Sequence, residues 1–181
     1  MRSQREPVVT LRAVRVECIP DGRSAELPAG TPALITQALG GSFTLWVEGQ
    51  LVRLRGADAD AIGKPPPEAP TTPAVTGPEG LRGLVWQALK TCYDPEIPVD
   101  IVELGLVYAC DVSPLEDGQF RVLIEMTLTA PGCGMGEAIA DDVCNKVLAL
   151  PQVGEATVNM VFDPPWDRSM MSEAALLTLG L

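Results

Sequence analysis

The chain has 181 residues, 46% of them hydrophobic and 20% charged, with 13 Lys and Arg against 24 Asp and Glu. That length holds one domain or two small ones and excludes a large multidomain machine, while the hydrophobic share favours folding over disorder. A formal net charge of -11 repels phosphate backbones and anionic lipid, and the absence of His removes Ser-His-Asp and Cys-His catalysis together with every imidazole metal ligand.

No nucleic-acid or membrane partner is therefore expected. No apolar run approaches the roughly 20 residues that a bilayer needs, and MRSQREPVVT lacks the apolar centre of a signal peptide, so a cytoplasmic location is expected. Cys18, Cys92, Cys110, Cys133 and Cys144 form an odd set without CxxC spacing, which fits reduced thiols better than a disulfide framework.

In chain order, AVRVECI, SAEL, ALITQAL, FTLWV and QLVRL read as strands separated by turn sequences. Val14, Val16 and Cys18 alternate with Arg15 and Glu17, and FTLWV-EG-QLVRL has the form of a hairpin closed by a two-residue loop containing Gly. Residues 8–62 thus predict a small all-β module, with an SH3-like barrel as the economical way to close its edges, by analogy of fold alone. GKPPPEAPTTPAVTGP follows, with six Pro at positions 65, 66, 67, 70, 73 and 78; residues 63–77 read as an extended linker.

From residue 78 to 181 the pattern changes to helix, strand, strand, helix, strand. Leu81, Leu84, Val85, Ala88, Leu89 and Cys92 share one helical face, and that helix is expected to end near DPEIP. VYACDV and FRVLIEMTL read as strands, Ile139, Val143, Val147 and Leu150 as the face of a second helix, and EATVNMVF as a third strand. The sum is an α+β sandwich of two helices on a three-stranded sheet, and Ser172 with Glu173 predicts a capped last helix over AALLTLGL.

The residue most suited to chemistry is Cys133, in the loop TAPGCGMGE between a strand and a helix. Unpaired amides and the macrodipole at a helix start favour a thiolate, and Gly132, Gly134 and Gly136 leave the sulfur unshielded. Cys18, Cys92, Cys110 and Cys144 fit core positions as small hydrophobes, with Cys92 close enough in sequence to Asp94 to approach the loop. Asp94 and Glu96 lie in DPEIP, stiffened by Pro95 and Pro98; they read equally as hard oxygen ligands or as solvated acids of a helix-ending turn. Trp166, Met170 and Met171 suit packing or a partner surface better than catalysis.

DPEIPVDIVELGLVY, MTLTAPGCGMGE and VFDPPWDRSMMSEAALLTLGL, in that order, resemble the iron-sulfur assembly domain shared by PaaD-like proteins and the cytosolic iron-sulfur targeting factors. IPDGRSAELPAGT and ITQALGGSFTLWVEGQLVRLRGADADAIG resemble an extra N-terminal module of one branch of that family. The resemblance implies Cys133 as the reactive, transfer thiol, with Asp94, Glu96 and Thr129 in its pocket. Ala130 departs from relatives that have a second Thr there. It also implies a maturation or transfer factor rather than a turnover enzyme, and homodimers. The partners implied are the iron-sulfur assembly machinery and apo-iron-sulfur proteins. No stably bound cofactor is implied, only a transient iron-sulfur cluster or iron, for which Cys133, Asp94 and Glu96 are the available donors. A [2Fe-2S] cluster needs four ligands, so a single thiolate per chain holds it weakly. Two other readings stand beside this one: a thiol-dependent hydrolase or transferase, disfavoured by the missing His, and an adaptor without chemistry.

Overall fold

The computed structural model describes residues 5–65, 77–94, 97–130 and 134–181. The chain forms two compact units, one built of the strands before residue 56 and the 3-10 turns after them, the other of residues 77–94 and 99–181. The residues 66–76 of the expected Pro-rich linker lie outside the described residues.

In the first unit, β1 (Glu6–Val9), β2 (Val14–Ile19), β3 (Ser24–Leu27), β4 (Pro32–Leu39), β5 (Ser42–Val47) and β6 (Gln50–Arg55) form one antiparallel sheet in the order β1-β4-β5-β6-β2-β3. β1 is an addition to the predicted strands. The β5-β6 hairpin closes as its sequence requires: Val47 pairs with Gln50, and Glu48 and Gly49 take φ of 48° and 93°, the left-handed pair of a tight two-residue turn. Val14, Val16 and Cys18 pack with Ile35, Leu45, Val52 and Leu54, and Ala61 and Ile62 of a 3-10 segment over Gly56–Ile62 join the same core. β1 and β3 are the two ends of the ladder and do not pair with each other among the described residues, and the SH3-like form of the barrel expected from the sequence is not confirmed by this order.

In the second unit, α1 (Gly77–Leu89), β7 (Val107–Pro114), β8 (Phe120–Met126), α2 (Gly136–Leu148) and β9 (Val153–Met160) follow the predicted order, and α3 (Glu173–Leu179) ends the chain. The sheet order is β7-β8-β9, antiparallel between β7 and β8 and parallel between β8 and β9. A parallel pair cannot be joined by a tight turn, and α2 supplies the crossover. Leu81, Leu84, Val85 and Leu89 of α1 and Ile139, Val143 and Val147 of α2 are buried, as are Val122, Ile124 and Met126 on alternate positions of β8. The opposite face is polar, with Arg121 and Glu155 joined by a 2.6 Å ion pair.

Beyond β9 the chain becomes a strap pinned mainly through backbone atoms. Val161 N–H donates to Met126 O, Tyr108 Oη–H to Pro164 O at 2.9 Å, Trp166 Nε1–H to Leu104 O at 2.9 Å, and Ser172 N–H to Glu103 O at 2.9 Å. Met171 is buried and Trp166 half-buried, which gives this segment a packing role. The predicted cap forms: Ser172 Oγ accepts from Ala175 N–H at 3.1 Å, and Gly180 ends α3 in the left-handed region.

Candidate thiol site

β8 delivers the loop expected to carry the chemistry. Met126 and Leu128 are buried on the helix side, Thr127 N–H donates to Leu106 O, and α2 begins at Gly136. Gly136 has a steric reason: a Cβ there would stand 2.7 Å from Leu128 Cδ1, so the first turn of α2 sits directly on the end of the strand. α2 starts with Met135 as its N-cap and no side-chain cap bond, with Glu137 in its first turn. The positive end of the α2 macrodipole therefore adjoins the loop.

Pro131, Gly132 and Cys133 lie outside the described residues, as does Glu96; the positions of the expected reactive thiol and of one expected pocket acid are therefore not described. Thr129 is half-buried and Ala130 exposed at the loop's entrance, and Asp94 is buried at 7% exposure. A carboxylate this far from water is held in place by partners rather than solvated, which favours a positioned acid over a free turn residue.

The segment leading to Asp94 departs from the expectation in one respect. α1 stops at Leu89, and Cys92 follows beyond a turn, buried at 1% exposure, its thiol 3.6 Å from Ala88 O. Ile101 N–H donates to Cys92 O, and Tyr93 bridges to Asp100. Asp100 Oδ1 accepts from the amides of Val102 and Glu103, both at 3.0 Å, fixing the turn that leads to Gly105. Burial, and then the Asp100 charge, push the Tyr93 hydroxyl pKa up. The Ser172 hydroxyl, and then Lys90, hold the Glu103 carboxyl below its ordinary range.

Thr127 is absent from the predicted site. It is 1% exposed, and its hydroxyl has no hydrogen-bond partner among the described residues. In sequence it looks like an ordinary outward Thr of β8; only its burial marks it.

Cys18, Cys92 and Cys110 are buried as expected, whereas Cys144 is half-exposed, its thiol 3.5 Å from Ala156 O at the sheet margin. This corrects its assignment to the core: the rotation of α2 places it beside the buried stripe. Desolvation raises the Cys110 pKa, so little thiolate exists at neutral pH. Iodoacetamide at pH 7.5 followed by peptide mass spectrometry should leave Cys110 unmodified in the native chain and modify it once urea unfolds the protein.

Among the described residues, no three Cys, Asp or Glu side chains converge as a metal site, and no helix is long and apolar enough to cross a membrane.

An α-β-β-α-β unit with a Cys-bearing loop between its middle strand and second helix defines the class. Residues 84–158 match the profile of the family described as iron-sulfur cluster assembly protein. A relative from Porphyromonas gingivalis, "Fe-S protein maturation auxiliary factor", is 46% identical over 92 residues, 51% of this chain and 84% of its own length. Another from Staphylococcus aureus, "Fe-S protein maturation auxiliary factor SufT", is 42% identical over 88 residues, 49% of this chain and 96% of its own. A solved domain of unknown function from Bacillus anthracis is 42% identical, with a TM-score of 0.49 covering 57% of this chain and 94% of that one. The chain belongs to the iron-sulfur cluster assembly protein family. The match to the relative named SufT nearly exhausts that relative's length, so about half of this chain has no counterpart there; the module resemblance read from the N-terminal stretch finds no support in it.

Proposed function

We propose that this protein is an auxiliary factor in the maturation of iron-sulfur proteins, acting through Cys133 as a transfer thiol, with Asp94, Glu96 and Thr129 around it. The observation that carries the reading is the buried Asp94 together with a strand-to-helix loop whose helix start has no side-chain cap. A thiolate gains from such a helix start. The cluster, or its iron, is cargo: one soft ligand and two hard carboxylates hold it weakly enough to pass on. Residues 8–62 and 78–181 are separate domains joined by the 63–77 linker, and the factor works as a homodimer in the cytoplasm with the assembly machinery and apoproteins as partners. No turnover chemistry is assigned to it.

The test is rescue of iron-sulfur enzyme activity in cells lacking this protein. Wild type should restore it, while Cys133→Ala, folded normally by circular dichroism, should restore less than about a tenth. Equal rescue by both would remove the thiol from the mechanism and leave an adaptor. Steady thioester hydrolysis by the purified protein, lost in Cys133→Ser, would instead establish an enzyme.

A further inference from the structure

The two edges of the three-stranded sheet differ. The β7 edge carries devices that discourage further pairing: a register shift between Val107 and Ala109, an exposed Asp111, and Pro114 at its end. In β9 the register shift, at Gly154, and the exposed charge, Glu155, both lie before residues 156–160. The strand runs eight residues, VGEATVNM, without Pro, Lys or Arg.

Its outward backbone row can be identified. β9 lies parallel to β8, and Val161 N–H donates to Met126 O. By alternation, the amides of Thr157 and Asn159 face β8, while those of Ala156, Val158 and Met160 face away from it. The Cys144 thiol reaches Ala156 O from that outer side, which places α2 beside the edge. The outward amides have no backbone partner among the described residues.

The flank of α2 over this edge has a definite chemistry. Glu137, Asp141, Cys144 and Leu148 recur at i, i+4, i+7 and i+11 and form one stripe. Lys146 lies on another side of the helix, where its ammonium donates to Thr91 O. The stripe is thus acidic at one end and apolar at the other, with Leu148 43% exposed; Phe162, just past the strand, is 46% exposed. Residues 78–181 hold 16 of the chain's 24 acids but only 5 of its 13 Lys and Arg.

We infer that the β9 edge, flanked by α2, binds an extended, basic segment of a protein partner as a fourth strand. The outward amides of Ala156, Val158 and Met160 give main-chain pairing, Leu148 and Phe162 contact apolar side chains, and Glu137 and Asp141 receive Lys or Arg. Glu137 and Asp141 beside the edge, and the exposed Glu155 on β9 itself, disfavour a second copy of β9 as the occupant of this edge. The inference does not depend on the role of Cys133.

The test uses the full chain and two synthetic octapeptides, one of alternating Lys and Val and the other of alternating Glu and Val, with amide exchange followed by NMR. The Lys-Val peptide should slow exchange at Ala156, Val158 and Met160 by about tenfold or more, and its affinity should fall as salt is raised. The Glu-Val peptide should leave those amides unchanged. Ala156→Pro removes one outward N–H without touching the β8 ladder and should abolish binding. Asp141→Lys, a surface change that folds even if Ala156→Pro does not, should weaken the Lys-Val peptide severalfold. Protection by neither peptide, or by both equally, overturns the inference. So does protection that appears without peptide and grows with protein concentration, which would put a second copy on the edge.

Discussion

Gly105→Ala should destabilise the second unit by about 3 kcal/mol, read as a lowered urea midpoint at unchanged slope. Gly105 has φ of 71°, a left-handed conformation that costs a residue with a Cβ about 1 kcal/mol. The larger part is steric: the added Cβ would collide with the backbone carbonyl of Met170. The strap can move away only by weakening the bonds that Trp166 and Ser172 make to Leu104 and Glu103 on either side, each worth about 1 kcal/mol. Gly118→Ala isolates the backbone contribution, since Gly118 has φ of 81° and nothing within 4 Å of the added Cβ. It should cost about 1 kcal/mol. Equal losses in the two variants would show that the strap is held too loosely to resist.

Ile124→Ala should cost about 3 to 4 kcal/mol by the same measurement. Ile124 is fully buried in the middle strand, opposite Cys110 of β7 and Val158 of β9 on the helix-covered face. Neighbours on both sides leave little freedom to collapse around the lost atoms, so a cavity remains. Leu123→Ala, one residue away on the polar face and half-buried, should cost about 1 kcal/mol. A loss at Ile124 no larger than at Leu123 would mean that the helices do not pack on this sheet as described.

Much of this was legible because it is written locally. Alternation along FRVLIEMTL places Val122, Ile124 and Met126 on one face in any sheet, and the helical spacing of Leu81, Leu84, Val85 and Leu89 does the same for α1. The two-residue hairpin turn and the Ser172 cap are fixed by side-chain chemistry within a few residues. The family resemblance was legible for a related reason, since its three motifs lie in separate short segments.

Other features depend on partners far away in the chain. Cys144 shares the spacing of a core residue, yet a modest helix rotation sets it at the sheet margin against Ala156. Thr127 reads as a solvent-facing strand residue but is buried at the root of the loop. The strap, with Gly105 under Met170 and Trp166 on Leu104, joins residues more than sixty positions apart, which no local pattern encodes.

By itself, the sequence determined the absence of imidazole chemistry, the charge of -11, the type and order of the principal elements, the placement of Cys133 in a Gly-rich loop and the family. Those follow from composition and from periods of two and 3.6 residues, which act within one element. The tertiary structure alone decided that β1 and β3 stand at the two ends of the first sheet's order, that Asp94 is buried, and that β9 lies at a sheet edge with the amides of Ala156, Val158 and Met160 turned away from β8. Each of these depends on which distant segment packs alongside, and that is settled by the joint burial of many side chains rather than by any one stretch of sequence.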